Sequence, residues 1–281
     1  MIHPILIITR LTFLEAIRRK IAQAGLVLGL LFLVVFSFGF QYITSSMDPN
    51  GSEAQKNLMQ HEGYNALSIA GLYAVTFMAV AMATLIAADT LAGEINSGTV
   101  QSIVTKPIRR SDIVIGKWLG TAGLLLSYLL LTAGGLVLSV WLQTGFVVPN
   151  LWLGLFYIFM EGLVVLTIAL LFGSRISALA TGGIVFGLYG IAFIGGWVEQ
   201  IGSLFKNQAA INIGIISSLI MPSEALWRRA SYEMQSSLAQ SFVITPFSTT
   251  SVPSPAMLFY SILYLLVLLT LTLRFFLKRD L

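Results

Sequence analysis

Few side chains in this 281-residue sequence have the type and spacing for chemistry. There is no cysteine, which removes disulfides, thiolate nucleophiles and cysteine-ligated metals together. The two histidines, His3 and His61, stand far apart. No His-Glu-x-x-His pattern pairs an imidazole with a second ligand, so no metal site is expected. Gly116-Lys117 has the ending of a phosphate-binding loop, but Ser111 takes the place of the first glycine in G-x-x-x-x-G-K-S/T and Trp118 that of the hydroxyl. The chain is therefore read as no enzyme, with no nucleotide-binding motif and no cofactor of its own. One acid remains, Glu161, in the middle of a long apolar run.

That run is one of six. A soluble domain carries about a quarter of its residues as charges, whereas here 57% are hydrophobic and 10% charged. A soluble enzyme and a disordered chain are both excluded. Stretches of the roughly 20 apolar residues that a hydrocarbon core requires fall at 21–43, 66–88, 118–140, 151–173, 176–198 and 257–277. They are continuous rather than alternating, which predicts helices and not barrel strands. The expectation is an all-α integral membrane protein, a single transmembrane domain over 1–281, in contact with membrane lipid. The first run is longer than the core of a signal peptide and is kept as a span.

Twelve of the sixteen Lys and Arg, among them Arg18, Arg19, Lys20, Arg110 and Arg274, flank the runs on the side shared by both termini. Lys56, Lys206, Arg228 and Arg229 flank the other. The positive-inside rule then places both termini in the cytoplasm. Trp141, Trp152 and Trp197 fall at predicted outer ends and Trp118 at an inner one, as interfacial anchors do. This bias accounts for the net charge of +4 without a nucleic-acid partner.

Between the runs, 44–65 reads as an outer loop with a short helix, and 4–20 as an interfacial helix along the inner leaflet. The large outer loop, 199–256, holds an apolar stretch at 211–221 that is too short to span, and is re-entrant, interfacial or packed on the bundle. After Pro222, the residues Trp227, Ala230, Met234, Leu238 and Phe242 recur at helical spacing. Glu224 with Arg228 and Arg229 with Glu233 are i,i+4 pairs on the polar side, which predicts an amphipathic helix at the outer surface. Gly183 and Gly187 form a GxxxG in the fifth run and predict close helix packing, within the chain or against a second copy. Two readings stand for Glu161: a contact in a polar or proton-linked pathway, or a neutral acid hydrogen-bonded to a neighbouring helix.

The segment between the second and third runs, from Asp89 to Lys117, breaks at Gly98, carries apolar Val100, Ile103 and Val104, stops before Pro107 and restarts at a Ser111-Asp112 cap. This predicts a short cytoplasmic helix within 89–112, parallel to the membrane. Glu94, Gly98 and Thr99, then Pro107 and Arg110, then Gly116 and Lys117 spell E-x-x-x-G-T, P-x-x-R and G-K. That pattern, in that place, resembles the permease subunits of type 2 ABC exporters, and looks like the group that includes the permease of the nitrous-oxide reductase maturation transporter.

The resemblance implies a permease of the bacterial inner-membrane kind, paired with a second copy or a homologue and with two copies of a cytoplasmic ATPase that holds the ATP and Mg. It makes the segment around Glu94, Gly98, Thr99, Val100, Ile103, Pro107 and Arg110 the coupling helix, and export of a substrate the function. Two other readings stay open. A secondary carrier would show inverted repeats and several intramembrane polar groups. A non-transporting assembly or mechanotransmission subunit would use the same coupling helix.

Overall fold

A chain that crosses lipid must satisfy its backbone within each segment, and helices do so without a partner. The structure, a computed structural model, describes residues 4–46, 52–96, 109–236 and 251–278, with the side chains of 53, 54 and 94–96 outside that description. Among the described residues every regular element is a helix: α1 (Pro4–Arg18), α2 (Lys20–Ser45), α3 (Glu53–Asn96), α4 (Arg110–Thr144), α5 (Leu151–Gly173), α6 (Ala178–Leu204), α7 (Gln208–Ile220), α8 (Ser223–Met234) and α9 (Ala256–Leu277). Six of them, α2 to α6 and α9, are long and apolar enough to cross a membrane. Each contains one of the predicted runs, apart from two residues at the start of the fifth.

Helix α5 is apolar on every side, and a helix of that kind belongs in the interior. Its apolar window is 78% buried against 11% for α2 and 22% for α9, so α5 is the axis of the bundle and the other two its periphery. Contacts define two ends. At the end carrying both termini, Arg110 donates to the Leu277 carbonyl at 3.4 Å and the Arg175 guanidinium lies 4.5 Å from the Phe275 ring centre. At the far end, Asn65 donates to the Met234 carbonyl at 2.9 Å and Asn150 to the Glu233 carbonyl at 3.2 Å.

Several connections differ from the sequence-based expectation. Helix α3 starts at Glu53, inside the stretch expected as a loop, because Glu, Ala, Gln, Lys, Leu and Met there are all good helix formers. Its 44 residues rise about 66 Å, twice a hydrocarbon core, so it projects beyond lipid. Asp89 to Asn96, expected to open a separate short helix, continue α3 instead. The next helix begins at Arg110, so Ser111 and Asp112 lie in its first turn rather than before it.

Helix α1 breaks at Arg19, whose backbone is extended, and packs along the start of α4. The close approach needs glycine. A Cβ on Gly116 would stand 2.7 Å from Ile8, and one on Gly120 would stand 2.8 Å from the Thr9 carbonyl.

The largest correction concerns 199–256. Helices α7 and α8 form a hairpin bent by 106°, and α8 is not a surface helix. Glu224, Trp227, Arg228, Ala230 and Met234 are all buried, since α8 runs against α5 and α6. Leu238 and Phe242 lie outside the described residues. Helix α7 lies against α6 through Gly195, Gly202 and Gly214, where an added Cβ would clash with Ser217, Ala210 and Glu199 respectively. By contrast Gly183 and Gly187 meet nothing within 4 Å. Among the described residues the expected GxxxG pair therefore makes no close contact; Gly195 and Gly202, about two to four turns further along α6, make the close packing.

Candidate functional site

Two places collect polar groups. The first is the terminal end. Helices α3 and α4 both stop there, at Asn96 and from Arg110, and the chain between them is the segment expected to couple. Glu94 lies in the last turn of α3 by its backbone, while Gly98, Thr99, Val100, Ile103 and Pro107 lie outside the described residues. Arg110 opens α4 and is tied to the end of α9 through the Leu277 carbonyl. Arg19, at the α1–α2 elbow, forms ion pairs with Glu15 at 2.6 Å and with Asp89 of α3. Gly116, singled out with Lys117 as motif, is the seat of α1 on α4.

The second place lies inside the bundle, where α8 meets α5 and α6. Glu161 on α5 is fully buried; its Oε1 accepts a hydrogen bond from the Tyr189 hydroxyl of α6 at 3.3 Å, and its Oε2 has no partner among the described residues. One reading of this acid, a hydrogen bond to a neighbouring helix, matches that geometry. Glu199 on α6 accepts from Arg228 of α8 at 2.8 Å and from the Ser251 hydroxyl at 2.6 Å. Arg228 is 1% exposed and also reaches the Ser251 carbonyl at 3.4 Å. The expected Glu224–Arg228 pair gives way to this one, since Arg228 turns to α6.

Glu224, in the first turn of α8, is buried with its stem on Gly196, where a Cβ would come within 2.2 Å of its Cγ. Burial, opposed by the Arg228 guanidinium and reinforced by the Glu199 carboxylate, pushes the Glu224 carboxyl up to about 7.

The last carbonyls of α7, before the turn into α8, have no partner within the helix and need donors from elsewhere. Helix α9 supplies them: the Tyr260 hydroxyl donates to the Leu219 carbonyl, and that of Tyr264 to the Ile220 carbonyl at 2.7 Å. Two apolar crevices, of about 310 and 270 Å³, open between α4 and α5 and between α2 and α3. Glu161 lines neither.

Six spans, an N-terminal helix and a polar-cored hairpin before the last span form the setting for the comparison with known proteins. Residues 6–281 match the family model described as ABC-2 family transporter protein. The chain belongs to the ABC-2 transporter family. No curated protein matches it. As an ABC-2 protein it is a multi-pass membrane component of transport, and the match takes in both the terminal end and the buried cluster. Of the cluster, sequence reading found Glu161 alone. Glu199, Glu224 and Arg228 were missed, since each lies outside the predicted spans or at an i,i+4 spacing that suits a solvated face. The one usable signal was the apolar stretch at 211–221, expected to be re-entrant, interfacial or packed on the bundle.

Proposed function

We propose that the chain is the permease subunit of an ATP-binding cassette exporter, coupling ATP hydrolysis in a separate cytoplasmic ATPase to export of a substrate. The observation that carries this reading is the match of residues 6–281 to a transporter family. ATP and Mg belong to the ATPase, in two copies, and the permease works as a pair with a second copy or a homologue. Both termini face the cytoplasm, as the distribution of Lys and Arg favours, and the membrane is the inner one. Within the family, the nitrous-oxide reductase maturation group is the reading its motif suggests.

The mechanism follows from the lengths of α3 and α4. A coupling segment between them, with Glu94, Gly98, Thr99, Val100, Ile103, Pro107 and Arg110, rests on the ATPase and moves when ATP closes it. Helix α3 is continuous from that segment to Asn65, which caps the last carbonyl of α8. A tilt of α3 therefore reaches the hairpin at the far end without an intermediate joint. The pair Arg19–Asp89 carries the same tilt to α1 and α2.

The test is purification of the chain in mild detergent from its native membrane. A stoichiometric soluble ATPase is expected, and the double substitution Glu94→Arg with Thr99→Asp should abolish its binding while the protein still inserts. Binding that survives the double substitution would sink the coupling assignment. Recovery of the chain alone under several detergents would move the reading to a secondary carrier, with Glu161 as its pathway group.

A further inference from the structure

Helix α9 is one of the two least buried spans, and its register gives it two distinct faces. Leu265, Leu268, Thr272 and Phe276 are buried in the bundle, while Phe259, Leu263, Leu266 and Thr270 form an exposed stripe at steps of three and four residues. In a membrane that stripe meets acyl chains. Two further steps of four carry it to Arg274 and Lys278, both exposed, at the end of the helix. A third cation arrives from a distant stretch. Arg175, in the turn between α5 and α6, is exposed and holds its guanidinium 4.5 Å from the ring centre of Phe275, the residue next to Arg274.

Among the described residues, none of these three cations has an acidic partner. An arginine with acids in reach takes them, as Arg19 does with Glu15 and Asp89. The carbonyl end of α9 offers only about half a negative charge, and Arg110 already donates to its Leu277 carbonyl at 3.4 Å. The Phe275 ring attracts Arg175 without neutralising it. Orientation of the chain does not require this arrangement, since the charge bias acts from anywhere in a short loop. We propose that Arg175, Arg274 and Lys278 hold the headgroup of an anionic phospholipid, whose chains lie along the exposed stripe of α9. The negative headgroup matches the excess of cations, and the apolar stripe that leads up to them suits acyl chains, which a soluble anion lacks. This site stands apart from the exporter reading and needs no ATPase.

The chain has no cysteine, so Thr270→Cys places a single fluorophore on the stripe, one turn before Arg274. The full-length protein is reconstituted in vesicles of mixed phosphatidylcholine and phosphatidylglycerol, each lipid brominated in turn, and quenching reads the preference at that position. Phosphatidylglycerol should be favoured about tenfold, less at high salt, and Arg175→Gln with Arg274→Gln and Lys278→Gln should bring the ratio to about one. Arg10→Gln, which removes an exposed cation of α1, should leave it unchanged. A ratio near one in the starting protein, or a preference that survives the triple substitution, would overturn the proposal. An equal fall with Arg10→Gln would also do so, since the attraction would then be diffuse surface charge. If the starting ratio is near one and the triple substitution strips a co-purifying ATPase, the cations serve a protein partner instead. Should the triple variant not fold, Arg274→Gln with Lys278→Gln serves, and a preference kept above about half its starting value would refute the site.

Discussion

Removing Arg228 should cost more than removing any other charge in the bundle, because Glu199 would remain buried with its guanidinium gone. Breaking such a pair from one side costs about 3–5 kcal/mol. Arg228→Met should therefore lower the thermal midpoint in detergent sharply, and Arg228→Met with Glu199→Gln should lower it by less than the two single losses added together. Glu161→Gln is expected to fold, since the amide keeps the volume and an acceptor for Tyr189. A misfolded Glu161→Gln would make the carboxylate itself structural. Glu161 was legible in the sequence because it interrupts an otherwise apolar run. Glu224 and Arg228 were not, since four residues apart on a helix is also the spacing of a solvated pair. What buries them is α6, which no local pattern in 223–234 announces.

At the scale of elements, the glycines of α6 divide into two sets. Gly195 faces α7, where an added Cβ would stand 1.8 Å from the Ser217 hydroxyl, while Gly187 faces open space. Gly195→Ala should lower the thermal midpoint, by the equivalent of about 1–3 kcal/mol of overpacking. Gly187→Ala should leave it unchanged or raise it slightly, as alanine is worth up to about 1 kcal/mol over glycine in a helix. A loss at Gly187 as large as at Gly195 would mean that another molecule covers that face of α6. The GxxxG pattern was visible in the sequence, but a small-residue stripe is blind to what lies opposite. The span boundaries were readable, within a few residues, because hydropathy and lipid thickness act locally. The extension of α3 to Glu53 was not, because polar helix formers look alike in a loop and in a protruding helix.

Helices α3 and α4 are the longest described elements, and the start of α4 is where α1 packs and the end of α9 is tied. If the Lys and Arg bias sets the topology, Gln208→Cys in right-side-out vesicles should react with an impermeant maleimide while Lys278→Cys stays protected. The reverse pattern would invert the protein and remove the proposed ATPase face. Composition alone determined that this chain lives in a membrane as a helical bundle, because too few charges remain to cover a water-facing globule. The position and length of the apolar runs gave six candidate spans, since each is long enough to satisfy its backbone and cross by itself. Only the tertiary structure decided that the chain between the last two spans folds back into the bundle, and that Glu224 and the Glu199–Arg228 pair are buried there. That outcome depends on Gly195, Gly196 and Gly214 letting helices from distant stretches approach, and on Tyr260 and Tyr264 meeting the exposed carbonyls of the turn. Contacts of that kind join residues far apart in the chain, so no window of sequence contains both partners.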